Sequence, residues 1–162
     1  NEYLNSTEIM IKVNSTYKYY KTSINDYYGF YTETITGNNI VLKDLYDGIF
    51  EVSIECNDDG KVIGNMFSCM TTVINFSFGI DHTKPTMTGA STKMNGMYVN
   101  NSFEVDANDS GSGVEGIYML EPSGSQYIKL NDQKKIAKYK SGLYTFYALD
   151  NSGNMSKMYY VN

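Results

Sequence analysis

The chain has no tryptophan, no arginine, one histidine, two cysteines and two prolines in 162 residues. Without arginine, and with scattered lysines under a formal net charge of -5, there is no basic stripe to neutralise a phosphate backbone, and nucleic acid is not expected as a partner. No apolar run approaches the roughly 18 residues of a membrane span, so none is expected within this segment. The single histidine, His82, sits in an Asp-His-Thr-Lys-Pro stretch, where it reads as a solvated spacer residue and not as a base. HExxH, GxSxG and a Cys-His neighbourhood are all missing. Paired acids such as Asp58 and Asp59 fall in a turn-like stretch. The expectation is a chain that is not an enzyme. No signal peptide, lipidation motif or anchor is recognisable, and a start at Asn1 suggests excision from a longer precursor.

What is abundant points to strands. Sixteen tyrosines, many Thr, Val and Ile, and fourteen glycines favour pleated backbone broken by tight turns. Lysine as the only strong base, with many Asn, Tyr and Ile, is what an AT-rich coding sequence produces, which hints at a low-GC bacterium.

Matched strings reveal an internal repeat. Residues Tyr3 to Val13 (YLNSTEIMIKV) echo Tyr98 to Ala107 (YVNNSFEVDA), with one extra residue in the first copy. Asp47 to Asp58 echoes Ser141 to Ser152, and Phe78 to Asp81 echoes Tyr159 to Asn162. Side chains in a strand alternate between faces, so Ile9, Ile11 and Val13 match Phe103, Val105 and Ala107. Phe50, Val52 and Ile54 match Tyr144, Phe146 and Ala148, each row starting two residues after a glycine able to turn with positive φ. Glu51, Ser53 and Glu55 are then expected to face water. The fold class predicted is all-β: two tandem immunoglobulin-like sandwiches, antiparallel and Greek-key, spanning 1–83 and 84–162. Asp132 to Lys140 (DQKKIAKYK) fits either a short helix or a charged edge strand.

Asp81 to Gly89 (DHTKPTMTG), Asp109 to Val114 (DSGSGV) and Gly142 to Ser156 (GLYTFYALDNSGNMS) carry a family likeness. Together they resemble the bacterial Ig-like repeats of secreted and cell-wall proteins. Those repeats show an Asp-x-Thr-x-Pro-Thr boundary, an Asp-x-Ser-Gly-Val turn and a Gly-x-Tyr…Ala-x-Asp-x-x-Gly-Asn signature. The resemblance covers nearly all of the second copy and the main strands of the first. The first copy lacks an opening strand such as Lys84 to Met97 would supply, and its last hairpin is longer around Gly60 to Thr72. The resemblance implies a monomeric, extracellular or cell-wall module of a bacterium, a rigid spacer or adhesion segment with a protein or glycan ligand. Its alternative is an auxiliary, carbohydrate-binding module beside an extracellular glycan-degrading domain.

Four patterns invite a functional reading. Gly111, Gly113 and Gly116 spell G-x-G-x-x-G, but GIYML follows and reads as a strand, whereas dinucleotide binding needs a helix there. Asp106, Asn108, Ser110 and Gly111 resemble the start of an EF-hand, yet its twelfth position is Ile117. A different calcium geometry stays open: a sandwich gathers loops at one pole, which would bring Asp81, Asp109 and Asp150 together, with Asn151 helping to complete a shell. The competing expectation is that each carboxylate caps a tight turn. Cys56 and Cys69 suggest a disulfide in an exported protein. If Ile54 lies opposite Ile74, however, Cys56 lies opposite Thr72 and the thiols face apart unless a bulge intervenes. Tyr17, Tyr19, Tyr20, Tyr27, Tyr28 and Tyr31 crowd the first copy, either as a contact surface for a glycan or protein or as core and shielding residues.

Overall fold

The computed structural model describes residues 2–13, 19–29, 32–57, 62–63, 66–67, 72–88, 102–130, 135–137 and 140–162. Every regular element among them is a β-strand, and no helix is long and apolar enough to cross a membrane. The chain divides into two compact units, Asn1–Asp81 and His82–Asn162.

The first unit contains β1 (Tyr3–Leu4), β2 (Ile9–Lys12), β3 (Tyr19–Asp26), β4 (Thr32–Thr36), β5 (Asn39–Leu42), β6 (Gly48–Asn57), β7 (Val62–Ile63), β8 (Met66–Phe67) and β9 (Thr72–Ile80). A five-stranded sheet runs in the order β1-β9-β6-β3-β4, β2 pairs with β5, and β7 with β8. The central strand β6 explains the arrangement. Phe50, Val52 and Ile54 on one face are buried, while Glu51 on the other is exposed. The buried row joins Ile24 from β3 and Ile40 and Leu42 from β5 in one apolar cluster, with Ile9 and Ile11 of β2 packed against it. Each such side chain contributes about 1.5–3 kcal/mol on burial. Ile54 stands opposite Ile74 and Cys56 opposite Thr72, the register that alternation requires.

Two glycines show how local geometry departs from the pattern. Gly48 does not make the positive-φ turn expected of it but begins β6; the positive φ in the preceding loop belongs to Asp44, at 54°. An Asx residue tolerates that conformation. Gly79 lies under the Tyr3 ring, where an added Cβ would come within 2.4 Å of Cδ1. Its lack of a side chain lets β1 lie parallel against β9.

Behind this sheet the Tyr46 phenol donates to Asp26 Oδ2 at 2.6 Å. Burial, then the Asp26 bond and the Asp26 charge, push the Tyr46 pKa up to about 12 from 10.0. A raised phenol pKa means that the folded state holds the proton more tightly. The stability it contributes is present below pH 10 and is lost as pH rises from about 10 to about 12. Ultraviolet titration of the wild type minus Tyr46→Phe is expected to isolate a phenol ionising near 12. A component near 10 would show that the Asp26 bond does not hold in solution.

The second unit contains β10 (Thr86–Thr88), β11 (Ser102–Glu104), β12 (Asp106–Asn108), β13 (Val114–Leu120), β14 (Ile128–Leu130), β15 (Lys135–Ala137), β16 (Tyr144–Asp150) and β17 (Tyr159–Val161). Its four-stranded sheet is ordered β14-β13-β16-β17, and β10 pairs with β12 and β11 with β15. The DQKKIAKYK segment contributes β15, whose Ile136 stands opposite Phe103, so its described part is strand. GIYML lies in β13, as the strand reading of the glycine-rich stretch requires. Tyr144, Phe146 and Ala148 are wholly buried with Phe103, Val105 and Val161. On the opposite face Tyr118 and Tyr147 stack at 5.0 Å with planes 5° apart, and Tyr127 meets Tyr147 edge-on. These rings shield the sheet, and outward-facing Thr145 is only 8% exposed. Glu115 accepts from Lys129 and from the Tyr118 hydroxyl. The Lys129 bond holds its carboxyl below the usual range in spite of desolvation.

Candidate functional site

The carboxylates singled out in the sequence gather where β16 ends and β13 begins. Val114 stands opposite Asp150, with a register shift between Val114 and Gly116, so the turn preceding β13 lies against the turn following β16. Gly113 has φ 83° and accepts the Asn151 N–H at 3.0 Å. The pairing of Thr86 with Asn108 brings the chain after Asp81 alongside the same turn. Asn154 Nδ2 donates to the Thr83 carbonyl at 3.4 Å.

Within this frame one oxygen each of Asp81, Asp109 and Asp150 lies within 4.8 Å of the others. Asp81 and Asp150 are 0% and 2% exposed, and Asp109 is half-buried. Asp150 is well satisfied. Its Oδ1 accepts from the N–H groups of Ser152 and Asn154 at 2.9 and 2.8 Å, and its Oδ2 from Asn154 Nδ2 at 2.8 Å. Asp109 is satisfied on one side only. Its Oδ2 accepts from the Gly111 and Gly113 N–H groups at 3.0 and 2.8 Å, while its buried Oδ1 has no hydrogen-bond partner. Turn capping thus accounts for three of the four oxygens of Asp109 and Asp150. An enclosed oxygen left over beside two further carboxylates is the feature that capping does not explain.

Such a group of anions is repulsive on the order of a few kcal/mol per close pair unless a cation screens it. Hard carboxylate and carbonyl oxygens are the donors calcium takes, six to eight at a time in general. Asn151 Nδ2 is committed to the Ser112 and Gly113 carbonyls, at 2.8 and 3.1 Å, which leaves its Oδ1 as the only side-chain ligand atom it can offer. Asn154 is the residue that sequence reasoning missed: buried, it ties Asp150 to the incoming segment. The Asp-Asn-Ser-Gly-Asn spacing was the available signal, since an amide four residues on can reach back across a tight turn.

The remaining sequence candidates are dispersed. Cys56 is a buried free thiol whose pKa burial pushes up, and Cys69 lies outside the described residues. Tyr20 belongs to the core. Tyr27 and Tyr28 stand 83% and 70% exposed at the turn after β3, edge-on to each other at 5.2 Å. Tyr17 and Tyr31 lie outside the described residues.

No family model and no curated protein matches the sequence. Among solved structures the chain is similar to one described as fibronectin(III)-like modules of Clostridium thermocellum CbhA, with a TM-score of 0.49 and 14% identity over 99% of this chain and 86% of that one.

Proposed function

We propose that the chain is a non-catalytic pair of immunoglobulin-like sandwiches, divided near residues 81–83, from a bacterial surface or secreted protein. It serves as a spacer or adhesion segment, with a calcium ion held by Asp81, Asp109 and Asp150. The observation that carries the metal is the enclosed, unpartnered Oδ1 of Asp109 beside two buried carboxylates. The Ig-like likeness of the Asp-His-Thr-Lys-Pro, Asp-Ser-Gly-Ser-Gly-Val and Ala-Leu-Asp-Asn-Ser-Gly-Asn stretches supports the spacer. Calcium there would tie the turns that follow β12 and β16 to the Asp81 carboxylate. Pro85, buried and φ-restricted, limits the segment that follows Asp81. An exported protein meets calcium near millimolar, where low-affinity extracellular sites operate.

Thermal unfolding tests this reading. With about 10 mM calcium and a dissociation constant of about 0.1–1 mM, mass action adds about 1.4–2.7 kcal/mol to the second unit. That raises its melting temperature by roughly 6–22 °C over the value in chelator. Equal midpoints would remove calcium from the account, as would a shift that survives Asp109→Asn and Asp150→Asn together.

A further inference from the structure

The outward face of the first unit's sheet is built differently from the tyrosine-covered face of the second. Ser23, Ser53 and Asn75 stand level on β3, β6 and β9, and Asn25, Glu51 and Ser77 form the next row. On β3 and β6 they alternate with the buried Ile24, Val52 and Ile54, and on β9 Asn75 and Ser77 are themselves exposed, so the rows face solvent. On one side the longer Lys21 and Glu55 flank them. Short side chains at one level on three adjacent strands leave a dip, and these six residues, together with Val52 and Phe76, line an open groove of about 390 Å³. That volume falls within the range of small-ligand sites.

The chemistry of the groove is specific. Among the described residues, the side chains of Ser23, Asn25, Glu51, Ser53 and Asn75 are engaged by no hydrogen bond or ion pair within the protein. Two hydroxyls, two amides and one carboxylate therefore present unspent donors and acceptors to a single space. Hydroxyl-rich ligands need this combination, because each sugar hydroxyl both donates and accepts and is matched by a fixed array of groups that do the same. Among the described residues Glu51 is the only charged group lining the groove, so phosphate, sulfate and uronate ligands would be repelled, while a hydroxyl can donate to it.

We infer that this groove binds a neutral sugar unit of a glycan. The inference rests on the reading of the chain as an exported, non-catalytic module and is independent of calcium. The full 162-residue chain is to be run in native gels containing hydroxyethylcellulose, xylan, galactomannan or soluble starch, with and without chelator. The matching oligosaccharides are then titrated into ¹⁵N-labelled protein. At least one polysaccharide is expected to retard the chain equally with and without chelator, and the oligosaccharide to shift the amides of Ser23, Glu51, Ser53 and Asn75. Ser53→Tyr, which fills the dip from the solvent side, and Asn75→Ala, on an exposed edge, are each expected to weaken binding about tenfold, the loss of one or two hydrogen bonds. Tyr147→Ala on the second unit is expected to bind as the wild type does. Four results would overturn the inference: no retardation by any of the polysaccharides; retardation unchanged in both groove variants; retardation lost only in Tyr147→Ala; or amide shifts produced by oligolysine alone, which would assign the groove to a cationic peptide. A lost calcium shift with sugar binding intact would instead sink only the metal.

Discussion

Phe146→Ala is expected to lower the stability of the second unit by about 3–5 kcal/mol, the usual cost of truncating a buried aromatic ring. Phe146 is 0% exposed on β16, between β13 and β17, opposite Met119 on one side and Tyr159 on the other. Its ring meets Phe103 from the facing pair of strands at 5.6 Å and 80°. Removing it opens a void that a close-packed interior fills only in part. Because a unit of this size has little stability to spare, Phe146→Leu is the companion variant, with an expected cost of about 1–2 kcal/mol. Glu51→Ala, on the solvent side of β6, is expected to stay within about 0.5 kcal/mol. Urea unfolding with near-ultraviolet detection reads all three. Equal midpoint shifts for Phe146→Ala and Glu51→Ala would show the strand faces to be wrongly assigned. Should the units unfold as separate domains, Phe146→Ala will move only one transition.

Asp150→Ala is expected to be the second most damaging change, at about 2–4 kcal/mol, and the comparison with Asp150→Asn separates capping from metal binding. Alanine strips acceptors from three donors at once, the N–H groups of Ser152 and Asn154 and the amide of Asn154. Buried donors without acceptors each cost about 1–3 kcal/mol, partly recovered where water enters. Asparagine keeps an oxygen for the two N–H groups and removes one negative charge from the acidic group. In chelator, Asp150→Asn should therefore be much milder than Asp150→Ala. In calcium the wild type is expected to gain the binding energy and both variants to forgo it, so the wild-type advantage over Asp150→Asn should widen. Differential scanning calorimetry of the three proteins with and without calcium measures this directly. A gap between wild type and Asp150→Asn that ignores calcium would leave Asp150 as a turn cap alone.

Alternation by twos makes the inner rows readable in the amino-acid sequence, since inside and outside are a local property of a pleated strand. Phe50, Val52 and Ile54 in one unit and Tyr144, Phe146 and Ala148 in the other are all buried as that rule requires. The opposition of Cys56 and Thr72 follows from one assumed pair, because register propagates along a ladder. Local chemistry is a weaker guide where several solutions cost about the same. Asp44 carries the positive φ expected of Gly48, and the charged segment around Lys135 is resolved as strand only by its pairing with β11.

The sequence by itself determined the all-β class, the repeat of matched strings and the faces of the main strands, because each depends on neighbours a few residues apart. Tertiary structure alone decided what lies together across long separations. Tyr46 finds Asp26 twenty residues away in the chain, Asp109 and Asp150 meet through the Val114 to Asp150 register, and the polar groove exists only because three strands align their short residues at one level. A one-residue slip in any of those ladders would turn the groove residues inward, and the sequence of one strand holds no record of where its neighbour stops.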